Sequence, residues 1–264
     1  MRVRREQIAI PGLNSKLAGY RILHVSDIHF DEKVKDDREL SHQLHSGMAD
    51  LILITGDFVT HERNIEPLVD YLIGSKAKDG MFGILGNHDY AYLTLKQHFR
   101  HYIMKKDLVS NDWRRMNSLL SEIGIRVLIN EFTVVSTSSG ASLFIEGTDD
   151  PVCGYPRISD RNSEYDSADL RILMSHSPDI LYSAELRKKK FDILLSGHTH
   201  GGQIRIPGLG ALLTGTTHAT RRESYGTYRT PSGMFVNVSS GIGYSLLPIR
   251  INCPAELVLI ELAA

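Results

Sequence analysis

Five short apolar runs, each ending in acidic, amide or imidazole residues, limit what this chain can fold into more than any other feature. They read RILHVSDIH (21–29), LILITGDFV (51–59), MFGILGNHD (81–89), LRILMSHSP (170–178) and FDILLSGHTH (191–200). Runs this short and rich in β-branched residues suit buried strands rather than helices. Between them, 39–51, 64–76 and 177–190 carry apolar residues at helical spacing. The last opens on Ser177 as N-cap with Pro178 at the first helical position, a recognised helix start. Strand–helix–strand alternation predicts an α/β chain with a central sheet. The runs 126–135, 141–147, 234–240 and 255–262 lack long helices between them. They are expected as hairpins or neighbours in a second sheet, giving two packed sheets with helices outside. The 264 residues show no internal repeat, low-complexity stretch or linker. A single domain over 1–264 is expected, although ~150 residues per domain is the usual prior.

Composition narrows the partners. A formal net charge of -1 gives no electrostatic reason to expect nucleic acid. Cys153 and Cys253 are the only cysteines, too few for a disulfide framework or a thiolate zinc site, and compatible with a reducing compartment. No stretch reaches the ~18 consecutive apolar residues of a membrane span. The apolar part of the basic N-terminus MRVRREQIAIPG is too short for a signal peptide. A soluble, cytoplasmic protein is the expectation.

The polar strand ends carry Asp27 and His29; Asp57; Asn87, His88 and Asp89; His176; and His198 and His200. Ligands of open α/β sheets bind at the carboxyl ends of strands. Asp27 and His29, like His198 and His200, are two apart, and in extended backbone such pairs point to one side. A mixture of carboxylate and imidazole suits Mn, Fe, Zn, Co or Ni. Taken singly, each has a plainer explanation: an Asp-x-His at a strand end is usually a solvated turn, Asp57 after Gly56 a turn residue, and His176 a buried or capping histidine. Jointly they are too many donors for one ion and enough for two ions about 3.5–4 Å apart. Asp57, alone on its strand, is the natural bridge.

Read in order, Asp27-Ile28-His29, Gly56-Asp57, Gly86-Asn87-His88-Asp89, His176 and Gly197-His198-Thr199-His200 resemble the D-x-H, G-D, G-N-H-D/E, H and G-H-x-H blocks of the calcineurin-like metallophosphoesterases. The forms GDFV, GNHDY, GHTHGGQ and LPIRINCPAELVLIEL further resemble the YkuE-like branch, which includes the chlamydial-type UDP-2,3-diacylglucosamine pyrophosphatases. The resemblance implies a four-layer αββα sandwich of two mixed sheets, with a dinuclear metal centre, manganese foremost, at the strand ends. It implies that Asp27, His29 and His200 bind the first metal and Asn87, His176 and His198 the second, with Asp57 bridging. His88 would donate a proton to the leaving oxygen, and Asp89 would orient His88. The implied reaction is attack on phosphorus by a hydroxide held between the metals.

One segment sets this chain apart. Residues 91–115 hold six basic and two acidic residues, net +4, mixed with aliphatic and aromatic side chains. The plain reading is a surface helix; the functional one is a cap that meets an anionic, acylated substrate or a membrane surface. Arg221 and Arg222 are expected as phosphate contacts or solvated loop residues, Asp149-Asp150 as the start of a turn, and Tyr90 as a packing or site-flanking residue. The functional expectation is a phosphoester or pyrophosphate hydrolase acting on a phosphorylated small molecule or lipid-linked substrate. UDP-2,3-diacylglucosamine, cleaved to lipid X and UMP at the inner membrane face, is the foremost candidate. A general phosphodiesterase or protein phosphatase is the alternative within the class, and a non-catalytic metal-binding scaffold the alternative outside it.

Overall fold

The computed structural model describes residues 1–92, 109–245 and 248–263. Two six-stranded mixed sheets lie face to face. The first runs, edge to edge, Arg2–Ala9, Glu256–Ala263, Arg21–Val25, Leu51–Thr55, Met81–Ile84 and Ile125–Val127. The second runs Gly226–Arg229, Phe235–Val238, Ile193–Ser196, Leu170–Met174, Ser142–Gly147 and Glu131–Ser136. All five strands expected from the polar-ended runs form, and all are parallel to their neighbours within that set. Alternation splits each strand between two cores. Ile22, Leu51 and Leu53 meet Ile145, Ile172 and Leu195 between the sheets. Leu23, Ile52 and Ile54 face the helices Arg38–His45, Ile65–Leu72 and Trp113–Glu122 on the outside of the first sheet. Phe144, Leu173, Leu194 and Val236 form the outer core of the second. This is the expected αββα sandwich.

Three local expectations are corrected. The segment 177–190 does not form one α-helix. Ser177 caps it and Pro178 opens it as foreseen, but it is two 3₁₀ turns, Pro178–Tyr182 and Leu186–Lys188, interrupted by extended backbone at Ser183. The Asp179 carboxylate accepts the backbone N–H groups of Thr217, His218 and Ala219, so tertiary contacts replace helical ones. The run 126–135 is not one strand: Asn130, at φ 55°, breaks it, and its halves join different sheets. The C-terminal run belongs to the first sheet, parallel to Arg2–Ala9 and antiparallel to Arg21–Val25. Among the described residues, no helix is long and apolar enough to cross a membrane.

Most of the basic segment, 93–108, lies outside the described residues. Its flanks pair as a short antiparallel ladder, Ala91–Tyr92 with Val109–Ser110. The Trp113–Glu122 helix then packs on the first core through Met116 and Leu120. Part of the basic charge is used internally, since Arg115 pairs with Glu66.

Candidate metal centre

The site residues sit just past the strands, not on them. Arg21–Val25 ends two residues before Asp27, and Leu51–Thr55 two before Asp57. The two loops zip together through backbone bonds from Asp27 N to Gly56 O, His29 N to Asp57 O and Phe30 N to Phe58 O. Asp27, His29, Asp57, His198 and His200 all have left-handed backbones, with φ between 42° and 68°. Extended geometry therefore does not aim the pairs, as the spacing had suggested. Left-handed backbone is costly for residues with a Cβ, and such outliers concentrate at functional sites. Two glycines let the loops close. A Cβ on Gly86 would lie 2.3 Å from Asp57 Oδ1, and one on Gly197 only 1.8 Å from Ser26 Oγ.

The side chains converge. Donor atoms of Asp27, His29, Asp57 and His200 all lie within 4.8 Å of one another, and all four residues are buried. His29 Nε2 faces His200 Nε2 at 3.1 Å. Asp57 Oδ2 lies 3.3 Å from His29 Nε2 and 3.4 Å from His176 Nε2, so one carboxylate touches both halves of the centre. On the far half, His198 Nδ1 is 2.9 Å from Asn87 Oδ1, and the His176 and His198 rings meet edge to face at 5.1 Å.

Hydrogen bonding fits this donor set to cations. His176 Nδ1 donates to the Thr55 carbonyl, which turns the Nε2 toward Asp57. His198 Nε2 lies 3.2 Å from the Gly215 carbonyl. A proton there leaves Nδ1 and Asn87 Oδ1 as two acceptors facing each other. Fixing one ring nitrogen to present the other is how proteins prepare imidazole ligands. Against burial, the Asp57 charge raises the His29 and His176 imidazoles above their usual range, so protons stand where two cations would bind. Burial, reinforced by Asp57, raises the Asp27 carboxyl above its usual range, and burial beside His29 and Arg250 holds the His200 imidazole well below its own. His176 and His88 overcome burial to hold Asp57 well below the usual carboxylate range.

His88 belongs to the same cluster but stands apart from the four-residue group. Its ring meets His29 edge-on at 4.9 Å, and its buried Nδ1 has no hydrogen-bond partner. Burial pushes its imidazole down to about 4. Its backbone N–H donates to Asp57 Oδ1 at 2.8 Å. The expected support of His88 by Asp89 is not made. Asp89 instead accepts the N–H groups of Gly86 and Val59, because consecutive residues on a helical turn point in different directions. Burial and the Asp57 charge raise its carboxyl to about 7. Asp89 holds the loop that carries His88 rather than the imidazole.

The other sequence candidates divide. Asp149 and Asp150 hold the turn at 151–154, accepting the N–H groups of Tyr155, Val152 and Cys153. Asp150 does more than expected: it is buried, its Oδ1 has no partner, and burial raises its carboxyl above the usual range against the pull of His176. Tyr90 donates to Asp149 and packs edge-on against Trp113. Arg221 and Arg222 are exposed and line a hollow with Arg205 and Asn252. Arg250, not singled out by the sequence, places Nη2 3.3 Å from His200 Nδ1.

A buried polar chain behind Asp27 also escaped the sequence reading. Ser26 Oγ donates to Asp27 Oδ2 at 2.5 Å, Thr55 Oγ1 donates to Ser26 at 2.8 Å, and His24 Nε2 meets Thr55 Oγ1 at 2.9 Å. Burial lowers His24 to about 4, so the ring is neutral. Its Nδ1 donates to Asn237 Oδ1 at 2.8 Å, and Asn237 Nδ2 donates to Thr227. The chain thus ties Asp27 to the second sheet. Thr55→Val removes the middle of this chain and takes one partner each from His24 and Ser26. It should cost about 1–3 kcal/mol in denaturant unfolding and about 10–100-fold in metal affinity, with Thr55→Ser recovering both. Unchanged metal affinity in the valine variant would show that the chain does not support Asp27.

Comparison with known proteins agrees with the geometry. The chain is 32% identical over 189 residues to the uncharacterized metallophosphoesterase YkoQ of Bacillus subtilis, covering 70% of this chain and 63% of that protein. It spans less than two thirds of that relative's length. It is 28% identical over 257 residues to the phosphodiesterase YaeI of Escherichia coli, covering 93% and 83%. It is 28% identical over 251 residues to the UDP-2,3-diacylglucosamine pyrophosphatase LpxG of Chlamydia trachomatis, covering 78% and 71%. Residues 20–202, which contain every block of the strand-end pattern, match the family profile of the calcineurin-like phosphoesterases, and the chain belongs to that family.

Proposed function

We propose that this hydrolase is a two-metal enzyme that cleaves the pyrophosphate of a lipid-linked sugar nucleotide, with UDP-2,3-diacylglucosamine as the foremost substrate and lipid X and UMP as products. The observation that carries the two-metal reading is Asp57 Oδ2, 3.3 Å from His29 Nε2 and 3.4 Å from His176 Nε2. Asp27, His29 and His200 would hold one cation, Asn87, His176 and His198 the other, and Asp57 both. Carboxylate, amide and imidazole donors suit manganese and its borderline neighbours. Bound there, the two cations would activate water at neutral pH and neutralise charge on the phosphoryl oxygens.

The chain's own groups do the rest. Thr60 lies 2.8 Å from His29 Nδ1 and the Thr55 carbonyl holds His176, so both rings are fixed before substrate arrives. His88 would face the leaving oxygen and give it a proton. A phosphoryl anion beside the ring favours the imidazolium that burial alone disfavours. Asp89 would keep the His88 loop against Val59 and Gly86.

The substrate choice is supported by the likeness to LpxG, and the broader phosphodiester alternative by that to YaeI. It places the enzyme in lipid A biosynthesis at the cytoplasmic face of the inner membrane, with the net +4 segment 91–115 as a contact to anionic substrate or lipid. The whole chain would act as one domain. A panel with added Mn²⁺ tests the reading: UDP-2,3-diacylglucosamine, an aryl phosphodiester, cyclic nucleotides and a phosphopeptide. Release of UMP at a kcat/KM well above the turnover of the others is expected. Preference for the diester would move the assignment to a general phosphodiesterase. Metal binding without turnover of any member would leave a scaffold.

A further inference from the structure

Half of the large apolar side chains that the described residues expose come from two short segments beside the metal centre. Ile206, Leu209, Leu212, Leu213, Ile249 and Ile251 are between 42% and 81% exposed. The segments form a three-stranded ribbon. Arg205–Ile206 pairs antiparallel with Gly210–Ala211, with Arg205 opposite Ala211. On its other edge Ile204 bridges Ile251 in parallel, and Leu212 N donates to Ile204 O.

Alternation along the strands gives this ribbon two unlike faces. Ile204, Ile206, Leu212, Ile249 and Ile251 share the outer face, and Leu209 stands on the turn at its tip. The intervening arginines point inward. Arg205 donates to the Gly201 carbonyl and lies over the Tyr225 ring. Arg250 donates to the Gly241 carbonyl and reaches His200 Nδ1 at 3.3 Å. The ribbon thus rests on the loops of the metal centre and turns an aliphatic face to solvent.

The two ribbon segments carry charge of one sign. Neither 203–222 nor 241–255 contains an acidic residue, while they carry Arg205, Arg221, Arg222 and Arg250. Arg221 and Arg222 are exposed. They line a hollow of about 450 Å³ together with Arg205, Ile206 and Leu209. Arg205 and Arg250 lie beneath the face, so in a chain of net charge -1 the exposed cationic rim of the apolar tip is Arg221 and Arg222.

We propose that the face formed by residues 204–213 and 249–251 docks on an anionic lipid bilayer, the aliphatic side chains entering the interface and Arg221 and Arg222 meeting lipid phosphates. Projecting side chains on a hairpin tip fit a deformable interface, and a cationic rim complements an anionic leaflet. A second copy of the chain is disfavoured, because a two-fold contact would set the arginine rim against itself. Docking here brings the metal centre to the bilayer surface, where an acylated phosphoester resides. That purpose rests on the lipid-linked reading above; the docking does not.

The test is co-sedimentation of the full chain with vesicles of phosphatidylglycerol and phosphatidylcholine in equal parts, compared with phosphatidylcholine alone. The wild type is expected to bind the anionic vesicles and to lose binding at high salt. Leu209→Ser with Leu212→Ser, and separately Arg221→Gln with Arg222→Gln, should each reduce binding by about tenfold or more. The leucine variant should hydrolyse a soluble aryl phosphodiester like the wild type, and the arginine variant should keep the wild-type circular dichroism spectrum and Tm, which shows that both are folded. Wild-type protein that ignores anionic vesicles, or variants that bind like wild type, would overturn the proposal. Self-association of the wild type that the leucine variant abolishes, without vesicle binding, would assign the face to a second copy. Vesicle binding is read without turnover, so a failed UDP-2,3-diacylglucosamine assay with intact binding would remove the substrate and keep the docking face.

Discussion

Replacing His88 with alanine should lower turnover by about 10²–10⁴-fold, the usual worth of a positioned proton donor, while metal content stays near that of the wild type. The His88 ring meets that of His29 edge-on, 4.9 Å between ring centres. What His88 gives to Asp57 is a backbone N–H, and alanine keeps that bond. Its carbonyl accepts from Asn111 Nδ2 at 2.8 Å, which alanine also keeps. The substitution therefore removes an imidazole and little else. Elemental analysis and steady-state kinetics on the same preparations check it. Metal lost in step with activity would make His88 a ligand and end its assignment as a proton donor.

The strands and the clustering of the candidate donors were legible because they depend on residue type and order. Short apolar runs became strands, and the groups at their ends converged. Backbone conformation was not legible in the same way. The spacing of Asp27 and His29 suggested extended chain, yet both residues are left-handed. Asp and Asn tolerate that region better than most residues, so their letters permit it without announcing it. Asn130 illustrates the same gap: one left-handed residue inside an apolar run sent its two halves to different sheets.

Two further features were hidden by resemblance to ordinary sequence. His24 sits inside a strand where an apolar residue would serve. Only the facing Thr55 and Asn237, distant in the chain, show that it links the two sheets to Asp27. The repeated Ile-Arg-Ile at 204–206 and 249–251 invites the usual assignment of isoleucine inward and arginine outward. The structure reverses it, because carbonyls and an imidazole on the metal-centre side accept the guanidinium groups. Asp89 shows the converse. A residue beside His88 in sequence was assumed to touch it, and helical geometry turned it toward the backbone of Gly86 and Val59.

Asp57→Asn should be the most damaging single change at the centre, and the two faces of the carboxylate explain why. Oδ1 accepts the His88 N–H at 2.8 Å, and Oδ2 faces Nε2 of His29 and of His176 at 3.3 and 3.4 Å. An asparagine must place its oxygen toward the His88 N–H, since its NH₂ cannot accept there. The NH₂ then points at His29 Nε2 and His176 Nε2. It donates into the lone pairs that two cations would need, and it brings no charge to bridge them. Elemental analysis should find about two metals per wild-type chain and far fewer in the asparagine variant. Two metals supply several kcal/mol of transition-state stabilisation, and about 1.4 kcal/mol is tenfold in rate. Turnover should therefore fall by on the order of 10³-fold or more, with excess Mn²⁺ failing to restore it. The metal-free variant should unfold earlier than the metal-free wild type, because Asp57, held well below the usual carboxylate range by its histidines, is a paired buried charge whose loss leaves them uncompensated; a native circular dichroism spectrum at the assay temperature separates the lost activity from the fold. An active wild type with only one tightly held metal, or an asparagine variant that keeps both, would remove Asp57 as the bridge and with it the two-metal reading.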